Sequence, residues 1–151
     1  MSTGVVMLDT NIPMYAAGKD HAYKLPCAWV IKEITEDRLS AVVDTEMIQE
    51  VLYRFGGAGQ WDTALKMATD LIAIATEIYP VRASDTMLCI ELCKQYGPQG
   101  IRVRDLLHIA VMQTNGLDTI ISTDKHFDRI AGIHRLDPQA MYSQSTRSSR
   151  Q

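Results

Sequence analysis

Short apolar runs alternate along this chain with longer stretches whose apolar positions recur every three or four residues. Val5-Val6-Met7-Leu8 is the first run and reads as a buried strand that ends on Asp9. "TNIPMYAAG" follows as a short helix, with Thr10 or Asn11 as cap, Pro13 in its first turn and Gly18 as its stop. "AYKLPCAWVIKEITEDR" places Ala28, Ile31 and Ile34 on one helical face. "LSAVV" (39–43) predicts a second strand, and Asp44 and Thr45 offer caps to a third helix, "EMIQEVLYRF", closed by Gly56 and Gly57.

A fourth helix is predicted over 61–75, with Leu65, Met67, Ala68, Leu71 and Ile72 inward. "EIYPV" is a strand candidate weakened by Pro80. Ser84 and Asp85 should cap a fifth helix running to about Tyr96, and Met47, Met67, Met87 and Met112 fall on helical core faces. The turn-rich "GPQGIRVR" delivers Asp105 to the start of a sixth helix, "DLLHIAVMQTN", stopped by Gly116. "DTIIST" is a buried strand leading to Asp124, and "IHRLD" holds a last short one.

Strands alternating with helices predict an α/β fold: a three-layer α/β/α sandwich around a mostly parallel sheet. There is no internal repeat and no interdomain linker. One domain is expected over 1–142, and the polar, acid-free end, 143–151, is expected to be disordered. At 151 residues the chain is long enough for a proper core. No apolar run reaches the length of a membrane span, and "MSTGVVMLD" has no secretory pattern, so a cytoplasmic protein is expected. Cys27, Cys89 and Cys93 form no CxxC or Cys/His cluster and read as small buried residues rather than disulfides or zinc ligands.

Charge changes this picture only when the acids are placed. A net charge of −3 argues against nucleic-acid binding by bulk attraction. Setting aside a few acids gathered into a metal site would leave the rest of the chain near neutral. In open parallel sheets, ligands collect beyond the carboxyl ends of the strands. Asp9 and Asp124 sit there on this reading, and a loop could aim Asp105 at the same edge. Glu50 lies mid-helix among apolar residues. Taken singly, each has an ordinary explanation. Asp9, Asp105 and Asp124 could be helix caps, and Glu50 could be a solvated residue beside Glu46 with Arg54 as its partner. Several carboxylates meeting at one edge would instead need a counter-ion.

The stretches "MLDTNI", "IQEVLYRF", "RDLLHIAVMQTNGLDTIISTDKHFDRI" and "LDP" resemble, in order and spacing, the PIN domain, a family of metal-dependent nucleases that includes VapC-type toxin ribonucleases. The resemblance runs from Val5 to about Pro138. It implies that Asp9, Glu50, Asp105 and Asp124 are catalytic metal ligands, with Asp128 as an auxiliary acid and Thr10, Asn11 and Thr123 orienting the carboxylates. It further implies one or two Mg²⁺ or Mn²⁺ ions, an RNA substrate, a homodimer, and a small antitoxin that silences the enzyme. Oxygen-only ligands suit those hard cations better than zinc. Arg102, Arg104, Lys125 and Arg129 flank the proposed acids as candidate phosphate contacts. His108, three residues after Asp105, shares part of that helix face and could touch the site, but reads first as a hydrogen-bonded core histidine.

Other readings fit less well. A haloacid-dehalogenase-type phosphatase needs a second Asp two residues after the first, where this chain has Asn11. A receiver domain lacks its acidic pair, and no GxGxxG follows a strand. A PIN-like module that binds or processes RNA without a toxin role would have the same sequence features.

Overall fold

The computed structural model describes residues 4–149. Five parallel strands form one sheet in the order β3-β2-β1-β4-β5: β1 Val6–Leu8, β2 Ala41–Asp44, β3 Glu77–Tyr79, β4 Thr119–Ile121 and β5 His134–Leu136. Seven α-helices are described, and they flank the sheet as the three-layer expectation requires: α1 Asn11–Ala17, α2 Lys24–Thr35, α3 Thr45–Gly57, α4 Trp61–Ile74, α5 Ala83–Tyr96, α6 Val103–Thr114 and α7 Pro138–Ser149. The central strands β1 and β2 are buried along their whole length, whereas the edge strands β3 and β5 are partly exposed. That is why the first two read as continuous apolar runs and the outer two as weak signals. No described helix is long and apolar enough to cross a membrane.

The strand order creates the site. From β1 the chain moves outward through β2 and β3, then returns to place β4 on the other side of β1. The crevice between the carboxyl ends of β1 and β4 is therefore a topological switch point. Leu8 pairs with Ile121 there, and the ladder runs one step further as the Asp9 N–H donates to the Ile121 carbonyl at 3.0 Å.

Four local expectations change. In α4 the core face is Ala64, Met67, Ala68 and Leu71, an i, i+3, i+4, i+7 stripe, which leaves Leu65 and Ile72 about half exposed. Met87 is exposed rather than inward. Neither Ser84 nor Asp85 is the N-cap residue of α5, which is Arg82, but Asp85 caps the helix from its third position. That helix starts at Ala83, and the buried Asp85 carboxylate, a turn inside, accepts the Arg82 N–H at 2.8 Å and the Thr114 hydroxyl at 2.5 Å.

The fourth change is the polar end. Residues 143–149, expected to be disordered, belong to α7, while 150–151 lie outside the described residues. Pro138 is buried in the first turn, the Asp137 carboxylate accepts the Gln139 N–H, and Tyr142 meets Trp29 of α2 edge-on. Docking on α2 supplies what composition lacks. The Ser145, Thr146 and Ser149 hydroxyls bond back to carbonyls three residues earlier.

Candidate active site

Asp9 emerges from β1 into the switch-point crevice and is almost fully buried. It is not a helix cap. Residue Thr10 occupies that position, and its hydroxyl makes no capping bond but donates to Glu50 Oε1 at 2.8 Å. Glu50, in the second turn of α3, is buried, so the solvated alternative does not hold. Its other oxygen lies 3.4 Å from Arg104 Nη1, and Arg104 also approaches Glu46 at 3.6 Å. Arg54, the helical partner considered for Glu50, contacts the Met14 sulfur instead.

Asp105 is the third residue of α6, not its cap, because the helix begins at Val103 after Arg102. Among the described residues no side chain or backbone N–H hydrogen-bonds its half-buried carboxylate. Burial, then the charge of Asp9 and that of Asp124, raise its pKa to about 6 against relief from His108 and Arg102. Burial likewise raises Asp9, with Ser122 and His108 opposing and Glu50 adding to the rise. The four acids therefore share one electrostatic environment. Asp124 has two roles: it borders this group, and it caps the 3₁₀ helix Lys125–Arg129 by accepting the His126 N–H at 2.9 Å.

Asp128 is set differently. It is half exposed, and its two oxygens take the Arg135 Nε at 2.9 Å and Nη2 at 3.2 Å. The guanidinium holds this carboxyl below the usual range. The structure does not bring Asp128 into the acid group.

Sequence reasoning missed Ser122. Its hydroxyl donates to Asp9 Oδ2 at 2.6 Å and accepts the Asp124 N–H at 2.9 Å and Asn11 Nδ2 at 3.3 Å. One donor and two acceptors use a hydroxyl completely. Asn11 thus reaches the carboxylates only through Ser122. Thr123, the orienting group expected from the resemblance, makes no side-chain hydrogen bond to an acid among the described residues. The available signal was position: Ser122 directly follows β4, beside the residue after β1. Ser122→Ala should leave Asp9 less well held and lower Mn²⁺ affinity about 10-fold or more, read by calorimetric titration.

His108 is fully buried on α6, with Nδ1 2.6 Å from Asp44 Oδ2. Burial alone would push its pKa down. The hydrogen bond and charge of Asp44, joined by Asp9 and Glu50, carry it up to about 9. A group raised on folding contributes stability that is complete below its unfolded pKa, 6.5 here, and lost as pH climbs through the folded value. Asp105 has the same sign at lower pH, between 3.8 and about 6. The metal-free protein should therefore melt at progressively lower temperature from pH 6.5 to 9, measured by calorimetric scans in EDTA.

The PIN domain family matches residues 6–133. This chain belongs to that family. Ribonuclease VapC23 of Mycobacterium tuberculosis is 32% identical over 120 residues, covering 80% of this chain and 93% of that protein. Ribonuclease VapC13 of the same organism is 29% identical over 132 residues, 87% of this chain and 99% of its own length. VapBC2 of Rickettsia felis, solved bound to a DNA fragment from its promoter, contains a chain with the same fold. Its TM-score is 0.66 at 20% identity, covering 88% of this chain and 98% of that one.

For this PIN domain the donor chemistry fits a hard divalent cation. The ligating atoms on offer are carboxylate oxygens, and two of the acids, Asp9 and Asp105, are raised in pKa by burial and by neighbouring carboxylates, a penalty that a cation would reverse. Among the described residues no group of three or more His, Cys, Asp or Glu side chains stands in an arrangement that could hold a metal ion. Ser122 holds Asp9, Thr10 and Arg104 hold Glu50, and the 3₁₀ turn holds Asp124.

Proposed function

We propose that this PIN domain is a metal-dependent endoribonuclease and the toxin of a toxin–antitoxin pair, with Asp9, Glu50, Asp105 and Asp124 as the acids that hold Mg²⁺ or Mn²⁺. What supports this reading is buried Asp9 at the β1/β4 crevice, beside Asp105, which is raised by burial and by the charges of Asp9 and Asp124 and which accepts no hydrogen bond among the described residues. The relatives named as VapC ribonucleases and the VapBC assembly support the same reading.

Asp9, Glu50, Asp105 and Asp124 would hold one or two ions, which would supply a water of lowered pKa and positive charge for the scissile phosphate and the leaving oxygen. The chain's own residues do the rest. Thr10 and Ser122 fix the carboxylates of Glu50 and Asp9. Exposed Arg102 and Lys125 flank Asp105 and Asp124, where they can take the RNA backbone. His126 and His134 are not needed as a general-base pair.

An RNA substrate, a homodimer and an antitoxin partner belong to the same proposal. An apolar groove of about 370 Å³ is separate from the acids. It lies between α1, α2 and α4, lined by Pro13, Ala16, Ala28, Ile31, Met67 and Leu71 among others. A partner's apolar side chains would suit it better than RNA.

Analysis of product ends tests the chemistry. Attack by water is expected to leave ends without a cyclic phosphate. A 2′,3′-cyclic phosphate would show attack by the ribose hydroxyl and point to proton transfer by histidines instead.

A further inference from the structure

The nitrogen on the far side of the His108 ring has no explanation in the packing. Nδ1 is anchored to Asp44 Oδ2 at 2.6 Å, yet buried Nε2 has no hydrogen-bond partner among the described residues and stands 3.9 Å from Glu50 Oε1. An orphaned buried nitrogen is costly, and each such group in a fold calls for an explanation. Asp44 is itself doubly committed. It is fully buried, and its second oxygen accepts the Met47 N–H at 2.9 Å, capping α3 three residues before Glu50. One carboxylate thus fixes both the start of the helix that carries Glu50 and the ring that faces Glu50 from α6.

We propose that His108 is a positioning residue of the acid site: held at Nδ1 by Asp44, it presents Nε2 to Glu50 and sets where that carboxylate can lie. Thr10 donates to the same Oε1 from the entry of α1, and Arg104 meets Oε2 from the first turn of α6. Of these three neighbours of Glu50, Thr10 and His108 are buried and Arg104 is exposed. Glu50 is then set from the protein side by Thr10 and His108, and Arg104 remains free to exchange the carboxylate for a phosphate. This rests on Glu50 being one of the metal-holding acids.

The competing view is that His108 only staples α6 to α3 through Asp44. Two substitutions separate them. Asparagine can place its amide nitrogen where Nδ1 stands and keep the Asp44 contact. Glutamine can place its own near Nε2 and keep the contact toward Glu50. Mn²⁺ alone is titrated into each purified full-length variant, and RNA cleavage is then resolved into kcat and KM.

His108→Asn is expected to lose about 10–100-fold in Mn²⁺ affinity, with the loss of cleavage falling on kcat and KM for RNA unchanged. His108→Gln should restore most of that affinity. Wild-type Mn²⁺ affinity in His108→Asn would overturn the proposal, as would equal losses in the two variants. Should either histidine variant fail to fold, Asp44→Asn decides the matter. It retains the cap to Met47 but puts an amide against Nδ1. A fall in Mn²⁺ affinity is expected, and unchanged affinity would overturn the proposal. Wild-type protein that neither binds Mn²⁺ nor cuts RNA would instead sink the nuclease reading. Wild-type protein that does both, beside an Asn variant that matches it, sinks only the role of His108.

Discussion

Asp9→Asn should lower RNA cleavage on the order of 10³-fold, several kcal/mol of lost transition-state stabilisation, while making the metal-free protein more stable. The two directions have one cause. Asp9 is almost fully buried and raised in pKa by burial, so its ionised form is a cost to the empty fold. Asparagine has nearly the same shape and can still accept the Ser122 hydroxyl, so packing is kept while the charge is removed. Under the proposed function the same change takes a ligand from the ion. Cleavage is read on RNA, and stability by thermal melts in EDTA near neutral pH. A melting rise of about 2–4 °C is expected for each kcal/mol of relief in a domain of this size. A variant that loses both activity and stability would mean that Asp9 holds the fold together rather than a metal.

The second large effect is on stability. Phe127→Ala should cost about 3–5 kcal/mol, a large share of the roughly 5–15 kcal/mol that holds a typical domain. Phe127 is fully buried, and it lies in the five-residue 3₁₀ helix that Asp124 caps. Such a short helix has little stability of its own. Its aromatic anchor is therefore what keeps residues 125–129 in place and Asp124 at the crevice. The denaturation midpoint should fall with little change in slope, and Mn²⁺ affinity should fall with it. A loss under about 1 kcal/mol, the range of a surface substitution, would show that this turn is not held by its core contact.

The central strands and the order of elements were legible because β1, β2 and β4 must be apolar on both faces. What eluded the sequence was set by tertiary contact. The inward face of α4 differs from the expected one by about a quarter turn at Leu65 and Ile72, and the pattern alone allows either. The end of the chain has the composition of a tail and is helical because Tyr142 and Pro138 have a surface to dock on.

The site divides in the same way. Asp9 and Asp124 could be placed from strand ends alone, since register fixes where β1 and β4 stop. Glu50, a mid-helix acid with an ordinary surface explanation, needed the family resemblance. Ser122, Asp44 and His108 were unreadable as a network, because nothing in sequence says that residues 64 apart will meet at 2.6 Å. Asp128 shows the converse: a suitable acid at suitable spacing is drawn off by Arg135.

The most direct test is to strip the purified chain with EDTA, incubate it with single-stranded RNA of mixed sequence, and then restore Mn²⁺ or Mg²⁺. The expected result is intact RNA under chelation and cleavage once the metal is returned. Cleavage at the same rate in EDTA would contradict the metal-site reading of Asp9, Glu50, Asp105 and Asp124.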